Sequence, residues 1–300
     1  MKSNTSPVLL IDASIYIFKY YFSMPDNWWS EDGSPTGAVY GYSYWLLRLL
    51  EANSPSKMAA CFDESLGSCF RNTLYPNYKC SRALPDELLA FQLKACQRVT
   101  ELLGIPSYVS STHEADDLLA TLASRCRAQS LSVGVVTRDK DLAQLVLGKS
   151  DFMWDAPEGD RLYASDIIET LGVAPAQVAD YLALVGDASD DIPGVPGVGA
   201  KTASALLRHY PSWHDIKQHM AHVAQLPIRG AATLAHKLVE YESQVDMAIQ
   251  LTRVVTNAPL GRRFSLSVSK PKKKALQQFG ETMGFGPQFN SSINRVFPTL

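Results

Sequence analysis

"VGVVTRDKD", Val133–Asp141, is the stretch on which the fold turns. A short β-branched, apolar run breaks at once into a charged turn carrying Asp139 and Asp141. A run this short and this apolar reads as a strand covered on both faces. Two stronger runs repeat the pattern upstream: "VLLI" (Val8–Ile11) runs into Asp12, and "MAACF" (Met58–Phe62) runs into Asp63. "SYV" (Ser107–Val109) and "FMW" (Phe152–Trp154) are weaker strand candidates. Between the strands lie segments of helical periodicity, "AVYGYSYWLLRLLEA", "DELLAFQLKACQRVTELLG" and "EADDLLATLASRCRA". This alternation predicts an α/β fold with a central, mainly parallel sheet flanked by helices. After about Ala174 the strands fade, and "APAQVADYLALVG", "AKTASALLRHY" and "ATLAHKLVEYESQVDMAIQLT" read as helices joined by Gly/Pro turns. Phe264–Leu300 has weak periodicity and takes no assignment from sequence.

In an open parallel sheet, ligands bind outside the carboxyl ends of the strands. Asp12, Asp63, Asp139 and Asp141 are therefore expected on one edge. "THEADD" adds Glu114, Asp116 and Asp117 at a helix start, and "GDASDD" adds Asp187, Asp190 and Asp191 before a glycine turn. Any one of these suits a cap or a turn. Caps do not explain carboxylates at the ends of three buried strands. Gathered together they would be forced to stay protonated, unless hard divalent cations with oxygen ligands neutralised them. No His or Cys stands at metal-ligand spacing, so the expectation is Mg²⁺ or Mn²⁺. The number of carboxylates suggests two ions about 4 Å apart, as in phosphodiester hydrolysis. His214, His219 and His222 read as ordinary solvated histidines.

"GVPGVGAKTAS", Gly194–Ser204, looks like a P-loop with one residue too many, because Ala200 separates Gly199 from Lys201-Thr202. The segment before it, "GDASDDIP", is acidic and turn-rich where a P-loop needs a buried strand. A glycine turn feeding a helix N-terminus suits a nucleic-acid phosphate instead. Charge supports that direction. The net charge is −2, yet Thr112–Asp191 carries fifteen acidic and six basic residues, and Lys201–Leu300 carries thirteen basic and five acidic. Arg253–Lys274 holds seven basic residues and no acidic one. An acidic half joined to a basic half suggests cations in one place and a polyanion in the other.

The five cysteines form no C-x-x-C pair, which argues against a disulfide framework or a zinc site. Asp12 interrupts the only apolar stretch near the N-terminus, so no signal peptide is read there. No run reaches membrane-spanning length. A reducing cytoplasm is the expected location.

Taken together, "VLLIDAS", "FDESLGSCFRNTLYPNYKCSR", "EADDLLATLA", "TRDKDLAQLV" and "YLALVGDASDDIPGVPGVGAKTA" resemble the 5′-nuclease family. That family comprises the 5′→3′ exonuclease domain of bacterial DNA polymerase I, the phage 5′ exonucleases and the flap endonucleases. The resemblance covers about Pro7 to Asn257. It implies a resolvase/PIN-like nuclease core over residues 1–174, with a helical arch at about 66–98. It implies a helical DNA-binding subdomain over 175–300, with a helix–three-turn–helix motif at about 186–210 and a basic C-terminal segment. Asp12, Asp63, Glu114, Asp116 and Asp117 match the carboxylates around a first metal. Asp139, Asp141, Asp187 and Asp190 match those around a second. Arg71, Lys79 and Arg82 match basic residues that steer the scissile phosphate, and Asp116 joins them in the catalytic set. Lys19 and Tyr78, with Gly194, Gly197, Gly199, Lys201 and Thr202, would contact DNA, with a bound K⁺ at the glycine turn. The implied partner is DNA with a 5′ end, flap or branch, taken without ATP or membrane by a monomeric, stand-alone nuclease.

The chain departs from the family's pattern at Ala13, which follows Asp12 where the family has glycine. It departs again at Lys19, where arginine is usual, and at Asp191 in place of asparagine. Rival readings are a non-catalytic DNA-binding protein on the same fold, an RNA-directed metal nuclease and an ATP-driven enzyme. Cleavage assays on DNA and RNA and a test for ATP turnover separate them.

Overall fold

The computed structural model describes residues 6–65, 67–261 and 264–298. Its centre is a six-stranded sheet in the order β3-β2-β1-β4-β5-β6. The strands are β1 (Val8–Asp12), β2 (Met58–Asp63), β3 (Ser107–Ser110), β4 (Val133–Val136), β5 (Phe152–Trp154) and β6 (Arg161–Leu162). The first five pair in parallel, and only β6 is antiparallel. Both weaker strand candidates are strands. β6 was missed because its two residues are exposed and carry no apolar pattern. All of β1 and β4 is buried, as expected for strands covered on both faces.

One face of the sheet is covered by α1 (Ala13–Ser23), α2 (Gly37–Asn53) and α4 (Glu87–Leu102). α2 is buried on most sides. Its Trp45 stacks on Tyr16 with ring centroids 4.0 Å apart, and the indole N–H donates to the Ala156 carbonyl at 2.7 Å. The other face is covered by α5 (Ala115–Ala128) and by Ala258, Leu260, Phe264 and Leu266.

A separate apolar core holds the helical subdomain. Its elements are α6 (Ala164–Leu171), α7 (Val178–Val185), α8 (Ala200–His209), α9 (Trp213–Gln218), α10 (Met220–Val223), α11 (Ala231–Glu240) and α12 (Glu242–Thr252). No helix among the described residues is long and apolar enough to cross a membrane.

Two expectations of extent are corrected. The helical subdomain does not run to the end of the chain. Segment 266–272 crosses the far edge of the sheet, where Met58 N–H donates to the Leu266 carbonyl and Lys272 N–H to the Leu102 carbonyl. α13 (Lys273–Thr282) and α14 (Pro287–Val296) then pack back into the α/β core. Leu276, Phe279 and Met283 line up at i, i+3 and i+7, and Phe289 and Ile293 at i and i+4. Each helix is ten residues long, too short for a strong periodic signal. Gly280 permits the contact, since a Cβ there would lie 2.4 Å from the Phe289 ring. Arg262 and Arg263 of the basic run lie outside the described residues.

The helical arch expected at about 66–98 differs in extent too, since its second helix, α4, runs on to Leu102; its first residue, Leu66, lies outside the described residues. The segment holds the short α3 (Phe70–Leu74), then irregular chain, then α4. α4 turns Ala95, Cys96, Val99 and Leu102 into the core, and Gln92 accepts a hydrogen bond from Ala38 N–H at 2.8 Å. That apolar face needs a partner, and α2 supplies it.

The docking of the C-terminal hairpin is open to test. Phe289→Ala is expected to cost about 3–5 kcal/mol in urea denaturation and to lower the midpoint of the α/β core itself.

Candidate active site

The chain leaves β1 towards β2 and leaves β4 towards β5, so a crevice opens at the carboxyl ends of these two neighbouring strands. Asp12 ends β1 and caps α1. It accepts hydrogen bonds from Ile15 N–H at 3.4 Å and from the Thr137 hydroxyl at 2.8 Å. The same Thr137 oxygen accepts from Asp139 N–H at 3.0 Å. Asp63 ends β2; its backbone N–H donates to the Ser14 hydroxyl, and its carboxylate accepts from Ala115 N–H, both at 2.8 Å. Glu114 caps α5 and Asp116 lies in its first turn. Asp139 caps a 3₁₀ turn over Lys140–Leu145 and accepts from Asp141 N–H. Ser14 and Thr137 were missed in the sequence. Hydroxyls one or two residues from a strand-end aspartate carry no signal until the strands are placed side by side.

These carboxylates repel one another. Burial first, then the charges of Asp63 and Asp139, raise the Asp12 carboxyl to about 7. Burial and then Asp12 and Asp139 hold Asp116 well above the usual carboxylate range. Asp63 is raised by burial and by Glu114. Asp141 is raised to about 8 by burial and by Asp139 and Asp187. Asp187 is lowered: burial works against it, but the hydrogen bond from Asp141 and those from Ser189 prevail.

A cleft of about 20 Å³ lies among Glu114, Asp116, Asp141, Asp187 and Asp190. That is room for about one water-sized species. Asp141 Oδ1 is buried at its wall and, once the carboxyl is ionised, finds no hydrogen-bond donor among the described residues. An all-oxygen donor set with an orphaned carboxylate oxygen fits a hard divalent cation. Among the described residues no three carboxylates are already drawn into a closed metal geometry.

The basic residues divide sharply. Arg71 is 2% exposed and has no donor left for a phosphate. Its guanidinium donates to both Asp117 oxygens at 2.6 and 2.8 Å, to Glu114 at 3.1 Å, and to the Leu251 and Arg253 carbonyls. Burial alone would lower its pKa, but the Asp117 carboxylate more than reverses this. Arg71 is therefore a positioning residue, which corrects its expected place at the scissile phosphate. Asp117 is corrected with it. Its two oxygens also accept from Glu114 N–H and Val255 N–H, so its lone pairs are filled and it is not placed to ligate a metal.

Tyr78 is corrected too. It is buried, and its hydroxyl bonds Glu114 at 2.9 Å and Asp190 at 3.2 Å, out of reach of DNA. Lys79 and Arg82 do face the crevice. Lys79 binds Glu114 at 2.5 Å and lies 3.4 Å from Asp190, while Arg82 binds Asp190 at 2.5 Å. Beside them opens a cavity of about 490 Å³, walled by Phe18, Tyr21, Phe22 and Leu84. Asp191 has a left-handed backbone and accepts from Ser81 N–H at 2.8 Å, tying the Lys79–Arg82 loop to the turn that carries Asp187 and Asp190.

Further along, α7, a glycine-rich turn and α8 make a helix–turn–helix unit. Gly194 lies so close to Val185 that a Cβ would sit 2.2 Å from its carbonyl, and Gly197 takes φ 79°. Gly199 caps α8, and Lys201 and Thr202 lie in its first turn. Lys201 is exposed at the positive end of a helix, a place that disfavours a cation unless an anion arrives. Lys237 on α11 was missed in the sequence, because only tertiary packing brings it to this turn. Its ammonium donates to the Pro196 carbonyl at 2.6 Å. Lys19 on α1 lies over the Tyr20 ring, 5.6 Å from its centre. His214, His219 and His222 are exposed.

A switch-point crevice full of carboxylates, fringed by cations and coupled to a helix–turn–helix unit, defines the class: a nuclease. The profile of the 5′-3′ exonuclease N-terminal resolvase-like domain matches residues 7–172, and that of the 5′-3′ exonuclease C-terminal SAM fold matches 173–275. The chain belongs to the 5′-3′ exonuclease family, enzymes that hydrolyse DNA. It is 31% identical to a 5′-3′ exonuclease of Buchnera aphidicola over 258 residues, covering 86% of this chain and 89% of that one. It is 36% identical to DNA polymerase I of Pseudomonas aeruginosa over 91% of its own length, but spans only 30% of that longer protein. In fold it is similar to phage T5 5′-exonuclease bound to zinc ions (TM-score 0.63, 19% identity, 96% of this chain and 98% of that one). It is also similar to the catalytic core of Rad2 in complex with DNA (TM-score 0.65, 16% identity, 99% and 94%).

Two outcomes follow from this geometry. Arg71→Met should cost about 3–5 kcal/mol by leaving buried Asp117 unpaired, whereas Arg82→Met at the exposed rim should cost at most about 1 kcal/mol; urea denaturation reads both. The second concerns pH. Asp12 and Asp141 bind protons more tightly in the folded chain than in the unfolded one, so their contribution to stability is greatest in acid. It is lost as pH rises through about 7 for Asp12 and about 8 for Asp141. In EDTA the melting temperature should fall over that range, and Asp12→Asn with Asp141→Asn should flatten the fall.

Proposed function

We propose that this chain is a divalent-metal-dependent, structure-specific 5′ nuclease that cuts DNA near a 5′ end or flap junction. The observation that carries the reading is the ion-sized cleft with its orphaned Asp141 oxygen, set beside Asp116, Asp141 and Asp190, whose carboxyls burial and neighbouring charge hold above the usual range. Asp12, Asp63, Glu114 and Asp116 would hold one Mg²⁺ or Mn²⁺, and Asp139, Asp141, Asp187 and Asp190 the other. When bound, such ions supply an activated water and stabilise the attacking and leaving oxygens.

The chain's own residues do the rest. Once the carboxylates are neutralised, Lys79 and Arg82 exchange Glu114 and Asp190 for the scissile phosphate, where they stabilise developing charge. Phe18, Tyr21 and Phe22 offer apolar surface to bases beside that phosphate. The Gly194–Thr202 turn, with Lys201 and Lys237, holds duplex backbone away from the cut. Tyr78 and Arg71 keep Glu114 and α5 in register.

The test uses a duplex with a 5′ flap, labelled at both ends of the flapped strand, in Mg²⁺ and in EDTA. Mg²⁺-dependent cutting is expected; release of the whole flap or of mononucleotides separates endonuclease from exonuclease action. Asp116→Ala should lower kcat by at least about 10²–10³-fold while DNA still binds. Lys201→Ala should weaken duplex binding and reduce the salt slope by about 1. Binding without cleavage in either Mg²⁺ or Mn²⁺ would overturn the reading in favour of a DNA-binding protein.

A further inference from the structure

The 3₁₀ turn over Lys140–Leu145 carries Asp141 and is capped by Asp139. It lies between two cores. Leu142 and Leu145 pack with α5 and the sheet, whereas Ala143 belongs to the core of the helical subdomain. Gln144 joins the two sides. Its side chain is buried and lines the ion-sized cleft beside Thr252 and Val254. The amide nitrogen donates to the Asp141 carbonyl at 3.0 Å and to the Thr252 carbonyl at 3.1 Å. The amide oxygen accepts from Val254 N–H at 3.1 Å. Two of these partners are at the exit of α12, and the third is the backbone of Asp141 itself.

Two carbonyls from separate pieces of chain that meet away from water each need a donor. An amide supplies two donors and an acceptor without charge. Glutamate would set lone pairs against both carbonyls, and lysine or arginine would leave a cation beside Asp141. The tie also has a particular consequence for the crevice. Asp141 is held by its carbonyl, so its carboxylate is not spent on the link. Its N–H donates to the Asp139 carboxylate at 2.9 Å, so both acidic side chains move with one turn. We infer that Gln144 is a positioning residue for the second ion: through it the exit of α12 sets the Asp139–Asp141 turn. The inference rests on the proposed nuclease reading, which assigns these two aspartates to that ion.

Gln144→Met keeps the volume of the side chain and removes all three hydrogen bonds. Thr252→Val is the control. It removes the hydroxyl's bonds to the Ala179 and Ala248 carbonyls at the same exit and leaves the turn untouched. Mn²⁺ binding is measured without DNA, by electron paramagnetic resonance of the free ion, on protein whose fold is checked by circular dichroism. In Gln144→Met at least one binding step should weaken about tenfold. Thr252→Val should bind Mn²⁺ as the wild type does, and both variants should keep their affinity for duplex DNA in EDTA. Gln144→Asn, an amide one methylene too short to reach both carbonyls, should lose Mn²⁺ affinity in the same direction and takes over the test where the methionine variant does not fold. Unchanged Mn²⁺ affinity in the Gln144 variants, an equal loss in Thr252→Val, or a parallel loss of duplex affinity overturns the inference and leaves the nuclease reading standing. A wild type that binds no Mn²⁺ overturns both.

Discussion

The buried ion pair between Arg71 and Asp117 is the constraint on which the rest depends. A guanidinium and a carboxylate removed from water are tolerable only when every donor and lone pair is matched. Here they are: Arg71 reaches two carboxylates and two backbone carbonyls, and Asp117 accepts from Arg71 and two backbone amides. The pair joins three separate pieces of chain, α3, the first turn of α5 and the exit of α12. It thereby fixes the start of α5, and with it Glu114 and Asp116, against the helical subdomain. The turn at Gly194–Thr202 is built on α7, which packs on α12. A rigid link at Arg71 therefore sets the span from that turn to the carboxylate crevice.

The crevice itself is the opposite kind of structure. Its carboxylates gain little from one another, and several are held above the usual carboxylate range. That strain is affordable because the surrounding elements are over-determined: β1 and β2 are fully paired, and α5 is anchored by Asp117. Stability is concentrated at Arg71 and Phe289 so that charge can be left uncompensated at Asp12 and Asp141. Lys79 and Arg82 lie between these regimes. They are half in contact with carboxylates and half open to the cavity, and so free to change partner.

Much of this was legible in the sequence because the signals were local. Apolar runs ending in aspartate gave three strands and their common edge, and the glycines of Gly194–Gly199 gave a turn before a helix. What stayed hidden depends on tertiary placement. Arg71, Lys79 and Arg82 are three basic residues within twelve positions, and nothing in their spacing says that the first is buried and the others are not. Tyr78 next to Lys79 reads as a surface aromatic, yet alternate residues of an irregular segment point opposite ways. Leu276, Phe279, Phe289 and Ile293 are spread over two ten-residue helices, and the helices they pack against, α4 for the first and α2 for the second, lie more than 170 residues earlier.

The charge asymmetry of the sequence was also misleading in one respect, and the reason is geometric. The basic run from Arg253 to Lys274 reads as a platform for a polyanion, but the fold separates Arg253 from Lys270 and Lys272. Arg253 is paired with Asp180 at 3.0 Å. Lys270 and Lys272 follow Ser269, whose N–H donates to the Gly104 carbonyl, so they lie at the edge of the sheet opposite the carboxylates. The turn that remains for duplex DNA carries few cations, Lys201 and Lys237 among them. On the proposed reading its capacity to hold a phosphate comes from backbone groups: Gly197 has a left-handed φ, and Gly199 leaves the start of α8 open, with nothing within 4 Å of where a Cβ would lie. On the proposed reading, recognition of shape by a rigid turn, rather than attraction by a charged face, is what would let the protein find a junction and not merely adhere to DNA.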